Sequence, residues 1–143
     1  MRLILLPAVL AVALVAASST QHARADALAD AVGTIPGEVE DIRFAGSWSE
    51  GDEGGIYRIV LARSGSPIAA RLFVQWIAVA GSGPKVSRSV EIGEFGALKV
   101  DVVDFFAESD ADGLAVHIES VSGDGYELFV TGPDDYRFGR ASN

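Results

Sequence analysis

The chain contains no cysteine, and its 143 residues include two tryptophans, two histidines and one methionine. Without cysteine there is no thiolate nucleophile, no zinc–thiolate site and no disulfide bond. The lipid-modified cysteine of a bacterial lipoprotein is excluded for the same reason. A folded domain in this chain must therefore be stabilised by side-chain packing alone.

Catalytic and phosphate-binding motifs are also missing. Beyond residue 25 the only histidine is His117, and no serine stands in a nucleophile-elbow motif. A Walker loop and a GxGxxG loop are absent too, and one histidine without cysteine is too little for a closed zinc site. Alternation places His117 on the outer face of a strand with Ala115 and Glu119, so a carboxylate is in reach of the histidine, but none of the many serines stands in a recognisable nucleophile motif. The sequence therefore predicts a protein that is not an enzyme and needs no cofactor, and the alternative is a hydrolase that relies on carboxylates.

Positive charge is scarce and unevenly placed. The chain has 11 Lys and Arg against 20 Asp and Glu, a net charge of −9, which repels nucleic acid and anionic lipid. Gly54 to Val90 holds five basic residues and no acids, whereas Asp101 to Asp135 holds ten acids and no Lys or Arg. We expect the two blocks to neutralise each other across neighbouring strands. The alternative is an acidic patch that meets a cation or a basic partner.

The first 25 residues have the layout of a cleaved secretory signal peptide. Met1-Arg2 is basic, Leu3 to Ala17 is apolar apart from Pro7, and Ala23-Arg24-Ala25 has the small-x-small pattern of a cleavage site. A helix over the apolar run would be roughly 22 Å long, shorter than the ~30 Å hydrocarbon core of a bilayer. We therefore expect a secreted or periplasmic mature chain that begins at Asp26 and has no membrane span.

Regular turn signals divide the rest of the chain into short segments. Clusters of Gly, Pro, Asp and Ser recur about every ten residues, and the segments between them are rich in Val, Ile, Phe, Tyr and Trp. Strands are predicted near residues 38–48, 55–63, 68–80, 86–93, 97–107, 113–121, 125–131 and 135–140. The sequence predicts an N-terminal extension over 26–37 and one all-β antiparallel domain over 38–143. This domain is either a β-sandwich or a small up-and-down barrel.

The segment Gly46-Ser47-Trp48 lies on the first predicted strand. It resembles the Gly-x-Trp signature of the calycin barrels, the lipocalins and their relatives. The resemblance covers three residues and one arginine. It implies a barrel whose end is plugged by Trp48, with Arg137 or Arg140 packed over the indole and a small apolar ligand inside. Read without the resemblance, Trp48 is a core aromatic at the end of a sheet.

Three residues are candidates for ligand binding: Trp48, Gln75 and Trp76. Gln75 is the one polar residue within Phe73-Val74-Gln75-Trp76-Ile77, and a buried glutamine must find hydrogen-bond partners. A contact with a ligand in a pocket would supply them, whereas a solvent-facing glutamine needs none. For the tryptophans, core packing is the alternative interpretation.

The stretch from Glu108 to Glu119 approximates a calcium-binding EF-hand loop. Acids stand at loop positions 1, 3, 5 and 12, with Gly113 at position 6. Position 9 is Val116, however, and both flanks are rich in β-branched and aromatic residues. We therefore predict a β-hairpin that turns within 109–113. A looser calcium site using Asp110 and Asp112 is the alternative.

These observations together predict an exported, non-enzymatic β domain that acts as a binding or interaction module. The ligand or partner is an unidentified protein or small molecule and not a nucleic acid. The alternatives are a lipocalin-like barrel that carries a small apolar ligand and a carboxylate-dependent hydrolase.

Overall fold

The computed structural model describes residues 27–65, 68–81 and 83–142. Contacts divide the chain into two units, residues 1–36 and 37–143. In the first unit a helix, α1, covers residues 27–33. The predicted signal peptide over 1–25 lies outside the described residues. Within the described ranges, no helix is both long enough and apolar enough to cross a bilayer.

The second unit consists of eight strands and one short helix. The elements are β1 Val39–Glu50, β2 Glu53–Ser64, β3 Ala69–Ala80, β4 Gly83–Glu91, α2 Gly93–Leu98, β5 Val102–Asp110, β6 Gly113–Ser120, β7 Gly125–Gly132 and β8 Asp135–Arg140. Strands β1 to β4 form one antiparallel sheet in chain order, sheet A, and β5 to β8 form another, sheet B. The predicted all-β antiparallel fold is confirmed, and the two separate sheets correspond to a β-sandwich.

The inner faces of the two sheets share one hydrophobic core. Because side chains alternate along a strand, every second residue of β6 (Leu114, Val116 and Ile118) is buried. Residues of β2 and β3, including Ile59, Leu72 and Val74, belong to the same cluster. Full burial of such a side chain contributes about 1.5–3 kcal/mol, so packing supplies the stability that disulfides cannot.

Helix α2 stands where the sequence pattern predicted the end of one strand, 86–93, and the start of the next, 97–107. Ile92 and Phe95 are both fully buried, and a spacing of three residues directs both toward the core only in a helical turn. Lys99 ends the helix in the left-handed region with φ 53°, and its N–H donates to the Gly96 carbonyl oxygen. Glycines at 93 and 96 weaken the helix propensity, which is why sequence reasoning missed the helix.

Arginine side chains connect the two sheets along β1 and β5. Among the described residues these strands share no backbone ladder. Instead, Arg43 donates to the Phe105 carbonyl oxygen and pairs with Asp104 at 2.9 Å. Arg63 of β2 donates to the Val102 carbonyl oxygen at 2.8 Å. The guanidinium groups thus donate from sheet A to carbonyl groups of β5, an edge strand of sheet B.

Gly46 shapes β1 where the strand meets β5. Its φ of 38° lies in the left-handed region, and the β1–β2 register shifts between Ala45 and Ser47. This extra residue is a β-bulge, and it changes the phase of the strand so that Trp48 as well as Ala45 points into the core. A Cβ at position 46 would lie only 1.3 Å from Ser109 Oγ, so the close approach of β1 to β5 also requires glycine.

Candidate functional site

The outer face of sheet B carries most of the chemically active side chains. Cross-strand register places Phe106, His117 and Glu127 in one row. The next row contains Glu108, Ala115, Phe129 and Arg137. We call these two rows, with Glu119, the acidic face. Since side chains alternate between the faces of a strand, all of them point away from the core.

His117 lies at the centre of the acidic face, and its outward orientation is the one that alternation predicts. Its ring stacks on Phe106, with centroids 4.5 Å apart and planes 16° apart. Nδ1 is 3.6 Å from a Glu127 carboxylate oxygen, and Nε2 is 3.7 Å from Glu108. Both ring nitrogens therefore face carboxylates. Sequence reasoning considered only Glu119, because cross-strand partners depend on register.

The expected neutralisation of the two blocks across neighbouring strands is wrong, because the basic block belongs to sheet A and the acidic block to sheet B. In the described ranges only Asp101 and Asp134 lie within 4.0 Å of arginines of the basic block, Arg63 and Arg88. Asp101, Asp104, Asp124 and Asp134 each lie within 4.0 Å of an arginine nitrogen. In the described part of the chain, the remaining acids of this block have no Lys or Arg within that distance: Glu108, Asp110, Asp112, Glu119, Glu127 and Asp135. These acids of the acidic face and the adjoining turns thus carry negative charge that no ion pair among the described residues offsets.

Aromatic side chains are exposed among these acids. Phe106 is 54% exposed and Phe129 is 39% exposed. A groove of about 420 Å³ runs beside Phe129 toward the β5–β6 turn, and Arg137 covers the Phe129 ring at 5.6 Å. Exposed aromatic rings surrounded by charge are typical of surfaces that bind a partner.

The segment 108–119 forms the predicted β-hairpin. Asp110 pairs with Gly113, and Asp110 Oδ1 accepts the Asp112 N–H at 2.8 Å, which closes the turn. A Cβ at Gly113 would lie 2.3 Å from the Val130 carbonyl oxygen, so this glycine is needed for close contact with β7. Both flanks are strands, which an EF-hand does not permit. Across the described ranges, no three His, Asp or Glu side chains are grouped closely enough to hold a metal ion.

The three candidate ligand-binding residues separate into two locations. Trp48 and Trp76 both border a depression at one end of sheet A. Gln75 points to the opposite face, where it accepts from Arg58 Nε at 2.7 Å and donates to Ser89 Oγ at 3.0 Å. Adjacent residues of a strand face opposite ways, so Gln75 and Trp76 do not share a site.

No protein-family model matches this chain, and searches of curated proteins and of solved structures find no significant match.

The arginine placement implied by the calycin resemblance is wrong. The Arg137 guanidinium lies over Phe129 on the outer face of sheet B, and Arg140 Nη1 pairs with Asp124 at 3.1 Å. Trp48 lies on the inner side of sheet A, where the Gly46 bulge directs it. In this protein the Gly-x-Trp spacing is thus explained by the β-bulge at Gly46, which turns Trp48 toward the core.

Proposed function

We propose that this protein is an exported, non-enzymatic interaction module that binds a basic, extended protein segment on the acidic face. The observation that carries the proposal is Phe106, half exposed and stacked on His117 among acids that lack basic partners in the described ranges. A segment containing Lys or Arg supplies the missing positive charge and places cations against the exposed aromatic rings.

The geometry supports this function better than the two alternatives. A carboxylate-dependent hydrolase needs two acids that face each other across a cleft, whereas Glu108 and Glu127 flank His117 on an open sheet face. A barrel that carries an apolar ligand needs space between its walls, whereas one cluster of side chains from both sheets packs there.

Titration with a synthetic peptide of alternating Lys and Thr tests the proposal. We expect calorimetry to detect binding that weakens as ionic strength rises, because exposed charges are screened over about 10 Å at 0.1 M salt. Phe106→Ala and Glu127→Gln should each weaken binding about two- to fivefold, since each removes a contact worth up to about 1 kcal/mol.

Phe44→Ala is the matched control for Phe106→Ala. Phe44 is 60% exposed but lies on the outer face of sheet A, opposite Arg58. This variant should bind the peptide like the wild type. Equal losses in both phenylalanine variants, or an affinity that does not respond to salt, would refute the acidic face as the docking surface.

A further inference from the structure

The depression bordered by Trp48 and Trp76 lies at one end of sheet A, beside the small residue Ala78. Register places Trp48, Gly55, Ala78 and Lys85 in one row across the four strands. Ala78 borders the depression with only a methyl group. A Cβ added at Gly55 would lie 1.8 Å from the Ile77 carbonyl oxygen, so this glycine serves the close contact of β2 with β3. Trp76 is held edge-on by Tyr57 at 5.8 Å. The depression has a volume of about 490 Å³, within the roughly 300–1,000 Å³ of small-molecule sites.

Trp48 brings an unsatisfied hydrogen-bond donor to this depression. The side chain is 8% exposed, and its Nε1 is buried without a hydrogen-bond partner among the described residues. A buried N–H group without an acceptor is uncommon in folded proteins, because its desolvation is not offset. Because Nε1 is sealed from solvent, a ligand oxygen at the depression becomes its acceptor only after a small rotation of the indole.

Charges of opposite sign stand on opposite sides of the rim. Glu50 and Glu53 face each other across the β1–β2 hairpin, an unfavourable pairing of like charges. Lys85 and Arg88 lie on β4 at the other side. In the described ranges, no ion-pair partner lies within 4.0 Å of Glu50, Glu53 or Lys85. Arg88 pairs only with Asp134, at 3.8 Å.

We propose that this depression binds a short peptide with a free amino terminus and a free carboxylate. The ammonium group lies between Glu50 and Glu53, which removes their repulsion. The carboxylate lies beside Lys85 and Arg88, and a peptide carbonyl or carboxylate oxygen accepts from Trp48 Nε1. Strands β2 and β4 are about 10 Å apart, the length of an extended tripeptide. The depression is separate from the acidic face, so a result that refutes one proposal leaves the other unaffected.

Intrinsic fluorescence gives a direct test, because both tryptophans of the chain border the depression. Trialanine, its N-acetyl derivative and its C-terminal amide are titrated separately into the full chain. We expect trialanine to cause a saturable change in emission. Each blocked peptide should bind at least about tenfold more weakly, which corresponds to one charge-assisted contact.

Two variants locate the binding event. Ala78→Leu places a larger side chain in the depression and should abolish the fluorescence change. Glu53→Gln should lower the affinity for trialanine. It should leave the weak affinity for the N-acetyl peptide unchanged, because that peptide has no ammonium group. Glu38→Gln, just before β1 and outside the lining of the depression, is the control and should bind like the wild type. The proposal is overturned if trialanine gives no saturable change. It is also overturned if either blocked peptide binds as tightly as trialanine, or if folded Ala78→Leu retains full affinity.

Discussion

At the scale of single residues, glycine is needed for two reasons. It adopts a positive φ, and it lets a neighbouring strand approach too closely for a Cβ to fit. Gly46 combines a positive φ with a neighbouring strand that leaves no room for a Cβ. Gly51, in the β1–β2 turn, has a φ of 59°, but no atom lies within 4 Å of the position that an added Cβ would occupy. Alanine substitutions at the two positions therefore separate the free-energy cost of a positive φ from the cost of a steric clash with the neighbouring strand.

We predict that Gly46→Ala lowers the free energy of unfolding by more than Gly51→Ala does. The left-handed conformation alone costs an alanine about 1–2 kcal/mol at either position. At position 46 the displacement of Ser109 adds to this, for a total of roughly 2–4 kcal/mol. Urea denaturation followed by tryptophan fluorescence measures both values. Equal decreases in the free energy of unfolding would show that β5 moves to accommodate the added methyl group without loss of stability.

At the scale of elements, the contact between β1 and β5 depends on charge. Arg43 donates to Asp104, and this hydrogen bond, with one from the Phe105 N–H, holds the pKa of the Asp104 carboxyl below its usual value of 3.8. Hydrogen bonds to two carboxylates raise the pKa of Arg43, with the larger contribution from Asp41 and a smaller one from Asp104. A carboxyl whose folded pKa is lowered stabilises the fold above its unfolded pKa. That stabilisation is lost as the pH falls through the folded pKa.

Asp104→Asn should accordingly lower the melting temperature at pH 7, and this deficit should be smaller at pH 2, because acid protonates an increasing share of the wild-type carboxyl. The effect at pH 7 is expected to be small, because the carboxylate is exposed to solvent. Thermal melts at the two pH values measure the difference. Glu119→Gln, without an arginine partner in the described ranges, should show no such loss at pH 7. A deficit of equal size at both pH values would contradict the charge-dependent contact.

The β5–β6 hairpin gives a second prediction at this scale. Millimolar calcium should raise the melting temperature little, because a ligand stabilises a fold only through preferential binding to it. Asp110 already accepts the Asp112 N–H, which gives its carboxylate a structural role in the turn. Differential scanning fluorimetry with and without calcium provides the measurement. A large increase that Asp112→Ala removes would establish the looser metal site at the hairpin tip.

At the scale of the whole molecule, local features were predictable and distant pairings were not. Alternation and turn residues located the strands, because strands such as β2, β6 and β7 bury every second residue over part of their length and the turns between strands contain Gly, Asp or Pro. Helix α2 was missed because its evidence is the burial of Ile92 and Phe95, which depends on tertiary packing. Glu108 and Glu127 beside His117, and the row from Trp48 to Lys85, depend on register between strands. A single sequence does not display that register.

The separation of charge along the chain gives the β domain a pronounced electric asymmetry. Basic residues between Gly54 and Val90 belong to sheet A, and the acids of the 101–135 block that have no basic partner in the described ranges belong to sheet B and its turns. Such an asymmetric charge distribution exerts a torque in the field of an approaching ion. A basic partner diffusing toward this protein would therefore rotate it into alignment before contact. A larger fraction of collisions would then occur with sheet B foremost, and the encounter rate would rise as salt is removed.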